Sequence, residues 1–320
     1  MTDVILVAVT FHASTETFAG RPVVALESGA PLPVVDRPVA WRFEYFDEDF
    51  DDSEGPNEGY NAALDELLDT VDTGAIEALV LGSWGYAAFA DAPIVKLCEV
   101  AHRLPNLEAL FLGDITGDEC EASWIRQGDL NPLLEAFPKL RVLRVRGTEN
   151  LRLSPLHSAH LRELAFESGG LPAEIVTAVL DSDLPALEHL EFWLGVRNYG
   201  GDVAVRHLEP LLAGGRFPAL RRLGLRNAEI ADRIAAALAG APLVGRLEEL
   251  DLSMGVLDDS GAEALLAGQP LTHLRRLSLR HNFLSPEFAA RVVAELPGVA
   301  VDVEDQQTET QWGRYTAVGE

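Results

Sequence analysis

Charged residues two or four positions apart recur between residues 144 and 280, and they have the clearest capacity for chemistry. Arg144 and Arg146 come first, then Glu163 and Glu167, then Glu191 between His189 and Trp193. Arg222 and Arg226, Glu249 and Asp251, and Arg276 and Arg280 follow. Side chains two apart leave the same face of an extended strand, so each set shares one surface. Arginine offers a planar fork that suits carboxylates and phosphates. Six arginines against five acids give this strip a charge of +1 inside a chain of net charge −26. The sign changes along the series, which leaves two readings open: ion pairs between neighbouring strands, or a surface that holds a partner. The same positions carry two large aromatics, Phe111 and Trp193. They are expected to project from the strip as binding anchors, or to lie beneath a loop or the N-terminal segment.

Signals for catalysis are sparse. Cys98 and His102 stand at i and i+4 in KLCEVAH, a spacing that permits a thiol–imidazole pair. Cys98 occupies an apolar position, however, and reads as a buried small residue beside a surface histidine. Cys120 reads the same way, with Asp118, Glu119 and Glu121 as charges at a helix start rather than metal ligands. The GDITGDE stretch, residues 113–119, is a candidate ligand loop, with Asp114 the residue to test. Residues 47–59, DEDFDDSEGPNEG, lack the order of an EF-hand loop and read as a solvated acidic loop. The sequence has no phosphate-binding loop, zinc spacing or nucleophile elbow, so neither metal nor cofactor is expected.

The elements that position the charged strip are repeats of one phrase. The clearest is residues 274–284, LRRLSLRHNFL, in which Leu277 and Leu279 share a strand face and Leu274 and Leu284 turn toward the same interior. The L-x-x-L-x-L core recurs from Ile76, Leu107, Leu140, Leu161, Leu187, Leu220 and Leu247, at intervals of 21 to 33 residues. Third, fifth and seventh positions point away from the leucines, and these are the charged and aromatic positions above. Helices are expected between the strands, at 91–104, 118–137, 172–181, 202–213, 231–239, 259–267 and 286–296. The 21-residue interval after Leu140 is too short for strand plus helix and predicts an irregular connection. One such unit cannot bury its own leucines, so stability requires stacking.

Eight matches to this template resemble the leucine-rich-repeat family, nearest its ribonuclease-inhibitor-like class. The resemblance implies an α/β right-handed solenoid, a horseshoe with a curved parallel sheet on the concave face and helices on the convex face. It also implies that protein or peptide partners bind the concave face. One feature departs from the family: its turn asparagine is present only as Asn282, with Trp84, Ile115, Thr148, Gly169, Gly195, Ala228 and Gly255 at the equivalent positions. Residues 76–296 carry the resemblance, and a first repeat helix at 61–71, capped by Asn61, opens the regular part. Residues 1–60 read as a non-repeat β cap with strands at 4–9, 22–26 and 39–45. Residues 297–320 read as an edge strand (Val299, Val301, Val303) and a tail whose Trp312 and Tyr315 cap the last repeat. The repeat spacing together with the closing GRYTAVGE is similar to an uncharacterised family of bacterial leucine-rich-repeat proteins. That likeness implies an accessory role beside radical-SAM-like and ATP-grasp-like modification enzymes.

An apolar fraction of 48% supplies a large core, and no apolar run reaches the roughly 20 residues of a spanning helix. The charge of −26 disfavours nucleic acid and anionic membranes as partners. Two cysteines and an N-terminus without a basic leader point to the cytoplasm.

Overall fold

The computed structural model describes residues 14–26, 33, 35–46 and 57–319. Twelve strands lie in chain order in one sheet across these residues. They are β1 (Thr17–Phe18), β2 (Arg21–Leu26), β3 (Ala40–Tyr45), β4 (Ala78–Trp84), β5 (Ala109–Leu112) and β6 (Val142–Arg146). β7 (Glu163–Glu167), β8 (His189–Gly195), β9 (Arg222–Ala228), β10 (Glu249–Asp251), β11 (Arg276–Ser278) and β12 (Ala300–Asp302) follow. β1 pairs antiparallel with β2, and from β2 onward the neighbours are parallel.

Ladder register follows the template. Leu79, Leu110, Leu143, Leu164, Leu190, Leu223, Leu250, Leu277 and Val301 are successive partners in one row. The eight leucines are each at most 2% exposed. A continuous leucine row is the way a repeat with one apolar face buries it, each unit closing its neighbour.

Helices form the second layer: α1 (Glu58–Thr70), α2 (Ile94–Val100), α3 (Asn131–Ala136), α4 (Ala173–Leu180), α5 (Val205–Leu212), α6 (Ala231–Leu238), α7 (Asp259–Leu266) and α8 (Pro286–Glu295). Their starts follow side-chain chemistry. Asp258 accepts from the Ser260 and Gly261 amides at α7, and Ser285 accepts from Phe288 N ahead of Pro286 at α8.

Two expected helices differ. The first begins at Glu58, so Asn61 lies inside it, and the residue before the helix is Asn57 in the left-handed region at φ 70°. The helix expected at 118–137 is reduced to α3, preceded by turns. Gly128 sits at φ 124°, outside helical geometry, and Ala122, Ile125 and Leu130 are buried from this non-helical segment. The short interval after β6 holds no helix; Leu151 and Leu156 turn inward from extended chain that bridges to both neighbours.

Asparagine's absence at most turns is met in two ways. Side chains bond the loop carbonyls: Gln127 Nε2 to Arg146 O, Thr148 Oγ1 to Gly170 O and Ser168 Oγ to Trp193 O, at 2.7 to 3.0 Å. Elsewhere turns close on each other directly. A Cβ at Gly195, which has φ 64°, would lie 1.9 Å from Gly169 O, so glycine at 195 permits a backbone contact that asparagine there would block. Asn282 itself bonds Leu252 O and Leu279 O and accepts from Leu257 N.

The strand expected at 4–9 and most of the acidic stretch, residues 47–56, lie outside the described residues. No helix among the described residues is long and apolar enough to cross a membrane.

Candidate functional site

The strip positions line up across the sheet in the expected register: Glu163 beside His189, His189 beside Arg222, Arg222 beside Glu249, Glu249 beside Arg276. The strip divides into a covered part and an open part.

Over β4 and β5 the strip residues are small or apolar (Ala78, Val80, Ala109, Phe111), and they are covered. Phe111 is fully buried, with the Phe18 ring of β1 at 5.7 Å and the Arg144 and Arg146 guanidiniums over its ring at 5.5 and 5.3 Å. Phe18, Ala40, Ala78, Val80, Ala109 and Phe111 form a second small core on this face. Phe111 is therefore not an exposed anchor. The N-terminal segment covers it because a row of alanine, valine and phenylalanine cannot face water cheaply.

Beyond Phe111 the charges meet across strands. Glu167 is 2% exposed and takes Arg146 Nε at 2.8 Å and Arg144 Nη1 at 3.1 Å. Arg146 also donates to Ile115 O at 2.9 Å and lies 3.5 Å from Asp114. Asp114, the residue singled out in GDITGDE, is fully buried; it pairs with Arg42 and accepts from Thr15 N and Oγ1 at 3.0 and 2.9 Å. That carboxylate ties the first described residues to the sheet.

The centre of the strip is a second buried network. Glu191 Oε1 accepts from Arg226 Nη1 at 3.0 Å and from Trp193 Nε1 at 2.8 Å. Arg226 stacks on Trp193 at 5.2 Å and donates from Nε to Ser253 Oγ at 3.0 Å. His189 stands between two carboxylates, 3.6 Å from Glu163 and 3.6 Å from Glu191. Burial opposes a charged His189, but the two carboxylates outweigh it and raise its pKa. Contact with His189, joined by Arg222 at 2.7 Å, brings Glu163 down to about 2 against the cost of burial. Burial pushes Glu191 up, and Arg226 with His189 holds it well below the usual carboxylate range. Trp193 is 1% exposed, enclosed by Ala122, Met254 and Val318. Like Phe111 it faces the concavity and is covered.

The open part lies over β9 to β12. It is a groove of about 240 Å³ lined by His189, Glu191, Arg222, Arg226, Glu249, Asp251, Arg276, Arg280 and Asp302, among others. Arg222, Arg276 and Arg280 keep 35, 38 and 27% of their side chains exposed, and Asp251 31%. Arg276 makes no side-chain hydrogen bond among the described residues, and its nearest carboxylate is Asp302 at 3.7 Å. Arg280 holds Glu304 at 2.7 Å.

Sequence reasoning missed the row one position past the strip. Asn227, at φ 51° and fully buried, reaches Ser168 O and the C-terminal tail through Val318. Met254 occupies the equivalent place one repeat on, also with positive φ. Extending the template by one residue would have found both. The tail behaves differently from expectation as well. Trp312 is 87% exposed, and Tyr315, which meets the Phe283 ring edge-on at 6.3 Å, is 54% exposed. The last repeat is closed by Gln306 instead, which donates to Leu279 O and accepts from Leu284 N at 2.9 Å each. Trp84 is core, 1% exposed, its indole donating to Ala90 O.

Neither cysteine is arranged as a nucleophile. The His102 ring contacts Glu99 O rather than Cys98, whose thiol pKa is raised by burial and by Glu99. Burial, Glu121 and Glu119 push the Cys120 thiol up to about 11, so it is protonated at neutral pH.

Comparison with known proteins agrees with this geometry. Residues 247–266 match the family described as Leucine Rich repeat. A crystal structure of a protein from Bacteroides fragilis is similar at 31% identity and a TM-score of 0.78, over 89% of this chain and 79% of that one. No curated protein matches the sequence. The repeated leucine row, the parallel sheet with its helical layer and these two matches establish that the chain belongs to the leucine-rich-repeat family.

Proposed function

We propose that the protein is a non-enzymatic binding scaffold that receives a protein or peptide segment in the open part of its concave face. Arg222, Arg276 and Arg280 are the contacts for acidic groups of that segment, and Asp251 with His189 sets the polar floor. The observation that carries this reading is Arg276. Its guanidinium is partly exposed, hydrogen-bonds to nothing among the described residues, and lies in a groove with two more arginines. Desolvated arginine forks are frequent energetic centres of interfaces. Glu191, Trp193 and Arg226 support the groove from beneath or beside it and are nearly buried, whereas Arg144 and Arg146 lie outside it, paired with Glu167 over β6 and β7. The likeness carried by GRYTAVGE supports a narrower form, in which the partner is an enzyme of a modification pathway and this chain its accessory subunit.

The test is affinity purification from the native cell with quantitative mass spectrometry, comparing wild type with Arg276→Ala/Arg280→Ala. The expected result is at least a tenfold loss of one or a few proteins that wild type enriches. Equal recovery of every enriched protein by a folded variant sinks the assignment of this groove.

A further inference from the structure

After β12 the chain does not leave the molecule. Residues 314–319 run back past the ends of β10 and β9 without regular secondary structure, and they are held as a peptide is held. Asn227 pairs with the backbone of one residue: Val318 N donates to Oδ1 at 2.9 Å, and Nδ2 donates to Val318 O at 2.6 Å. Ala317 N donates to Met254 O at 2.9 Å. The Val318 side chain is 3% exposed in a hole formed by Ala122, Trp193 and Met254. Four residues upstream, Arg314 Nη1 donates to Val256 O at 2.9 Å and meets Asp258 at 2.8 Å and Asp232 at 3.6 Å. Main-chain bonds plus one apolar anchor and one charged anchor are how grooves take extended peptides.

Two features distinguish this from another wall of the core. The hole is an apolar cluster of its own, separate from the leucine interior. The receptor side is also set without the tail: Asn227 N donates to Ser253 O at 2.9 Å and its Nδ2 to Ser168 O at 3.2 Å. Beside the tail a cavity of about 780 Å³ opens, with Asp118, Glu121 and Glu229 on its walls.

We propose that the Asn227 cleft is a peptide-recognition site that the chain's own tail fills in cis. Its partner is an extended basic peptide with an arginine four residues before a valine-sized residue, and that peptide replaces the tail. Charge selects this occupant over a second copy of the chain. Asp232 and Asp258 receive the arginine, and a molecule of net charge −26 attracts a basic peptide and repels another copy of itself. The site is separate from the arginine groove and stands independently of it.

The probe is a fluorophore-labelled peptide of residues 312–319, WGRYTAVG, titrated by anisotropy into full-length protein. Tethering gives the tail an effective concentration of about a millimolar, so wild type binds the probe weakly. Full-length Val318→Asp, which cannot seat its own tail, binds at least tenfold more tightly. Adding Asn227→Ala to that variant, or placing glutamate at the arginine position of the probe, removes the gain. Adding Arg276→Ala does not, which separates this site from the concave groove. If Val318→Asp fails to fold by circular dichroism, Val318→Ser carries the same comparison. A folded variant that binds the probe no better than wild type overturns the proposal. So does a wild-type dimer in sedimentation that Val318→Ser abolishes, because it gives the cleft to a second copy.

Discussion

Replacing Arg226 and Glu191 with methionine, singly and together, decides whether the charges at the strip's centre hold the sheet together or are reserved for a partner. Both side chains are nearly buried, 10 and 8% exposed, and 3.0 Å apart. Removing one member of a buried pair costs about 3–5 kcal/mol, because the other charge is left without compensation. Here each survivor keeps help. Glu191 retains Trp193 Nε1 and His189, and Arg226 retains Ser253 Oγ and Asp251 at 3.6 Å. Both singles therefore belong at the low end, about 3 kcal/mol each. The double variant buries no orphaned member of this pair. Its main loss is the acceptor for the Trp193 indole, so its total is about 2 kcal/mol. The two singles then sum to about 6 kcal/mol against about 2 for the double, a coupling near 4 kcal/mol. Equilibrium urea unfolding followed by circular dichroism measures it, provided the denaturant slope is unchanged among the four proteins. Singles that cost under about 1 kcal/mol, or a double that is additive within about 0.5 kcal/mol, refute the reasoning. The network would then be free to serve a ligand.

Two further outcomes test the register and the histidine. Leu252→Asp places a carboxylate at a 2% exposed position of the leucine interior; a cost of several kcal/mol leads to unfolding or aggregation, and a soluble variant with unchanged melting counts against the register. His189 has a raised pKa, so its stabilisation is complete below the unfolded value of about 6.5 and is lost as pH rises through the folded pKa. His189→Asn should thus cost more stability at acidic than at alkaline pH, and a cost independent of pH between about 5.5 and 9 would contradict the assignment of Glu163 and Glu191 as its partners.

The architecture was legible because one period governs it. Leucines at the first, fourth and sixth positions fix which faces meet, and every strand from Leu79 to Leu277 pairs in the register they imply. The same spacing told which residues share the strip. It could not tell which of them face water, because exposure there depends on segments distant in sequence: Phe18 over Phe111, and Val318 over Trp193. The helix expected at 118–137 failed for a related reason. Its charges and apolar residues fit a helix locally, but Gly128 and the packing of Ala122 beneath the tail impose turns. Trp312 and Tyr315 are expected to pack as a cap over the last repeat, yet Trp312 stands almost wholly in solvent, while the smaller Val318 holds the tail.

The strip's near-neutral charge follows from these placements. A sheet whose strip residues carry charge must neutralise them at low exposure, and arginine does so without changing protonation state. Glu167 takes two arginines, Asp114 takes two and Glu191 takes one with a histidine. Alternating sign along the sequence is thus first a condition for folding. Binding capacity is what remains once those pairs are closed. In the proposed reading it falls at β11, where Arg276, although Glu249 and Asp302 stand on the neighbouring strands, makes no side-chain hydrogen bond among the described residues and has its nearest carboxylate at 3.7 Å. On the binding reading proposed above, the closed arginine networks serve the fold, and the weakly satisfied Arg276 guanidinium is the residue to test.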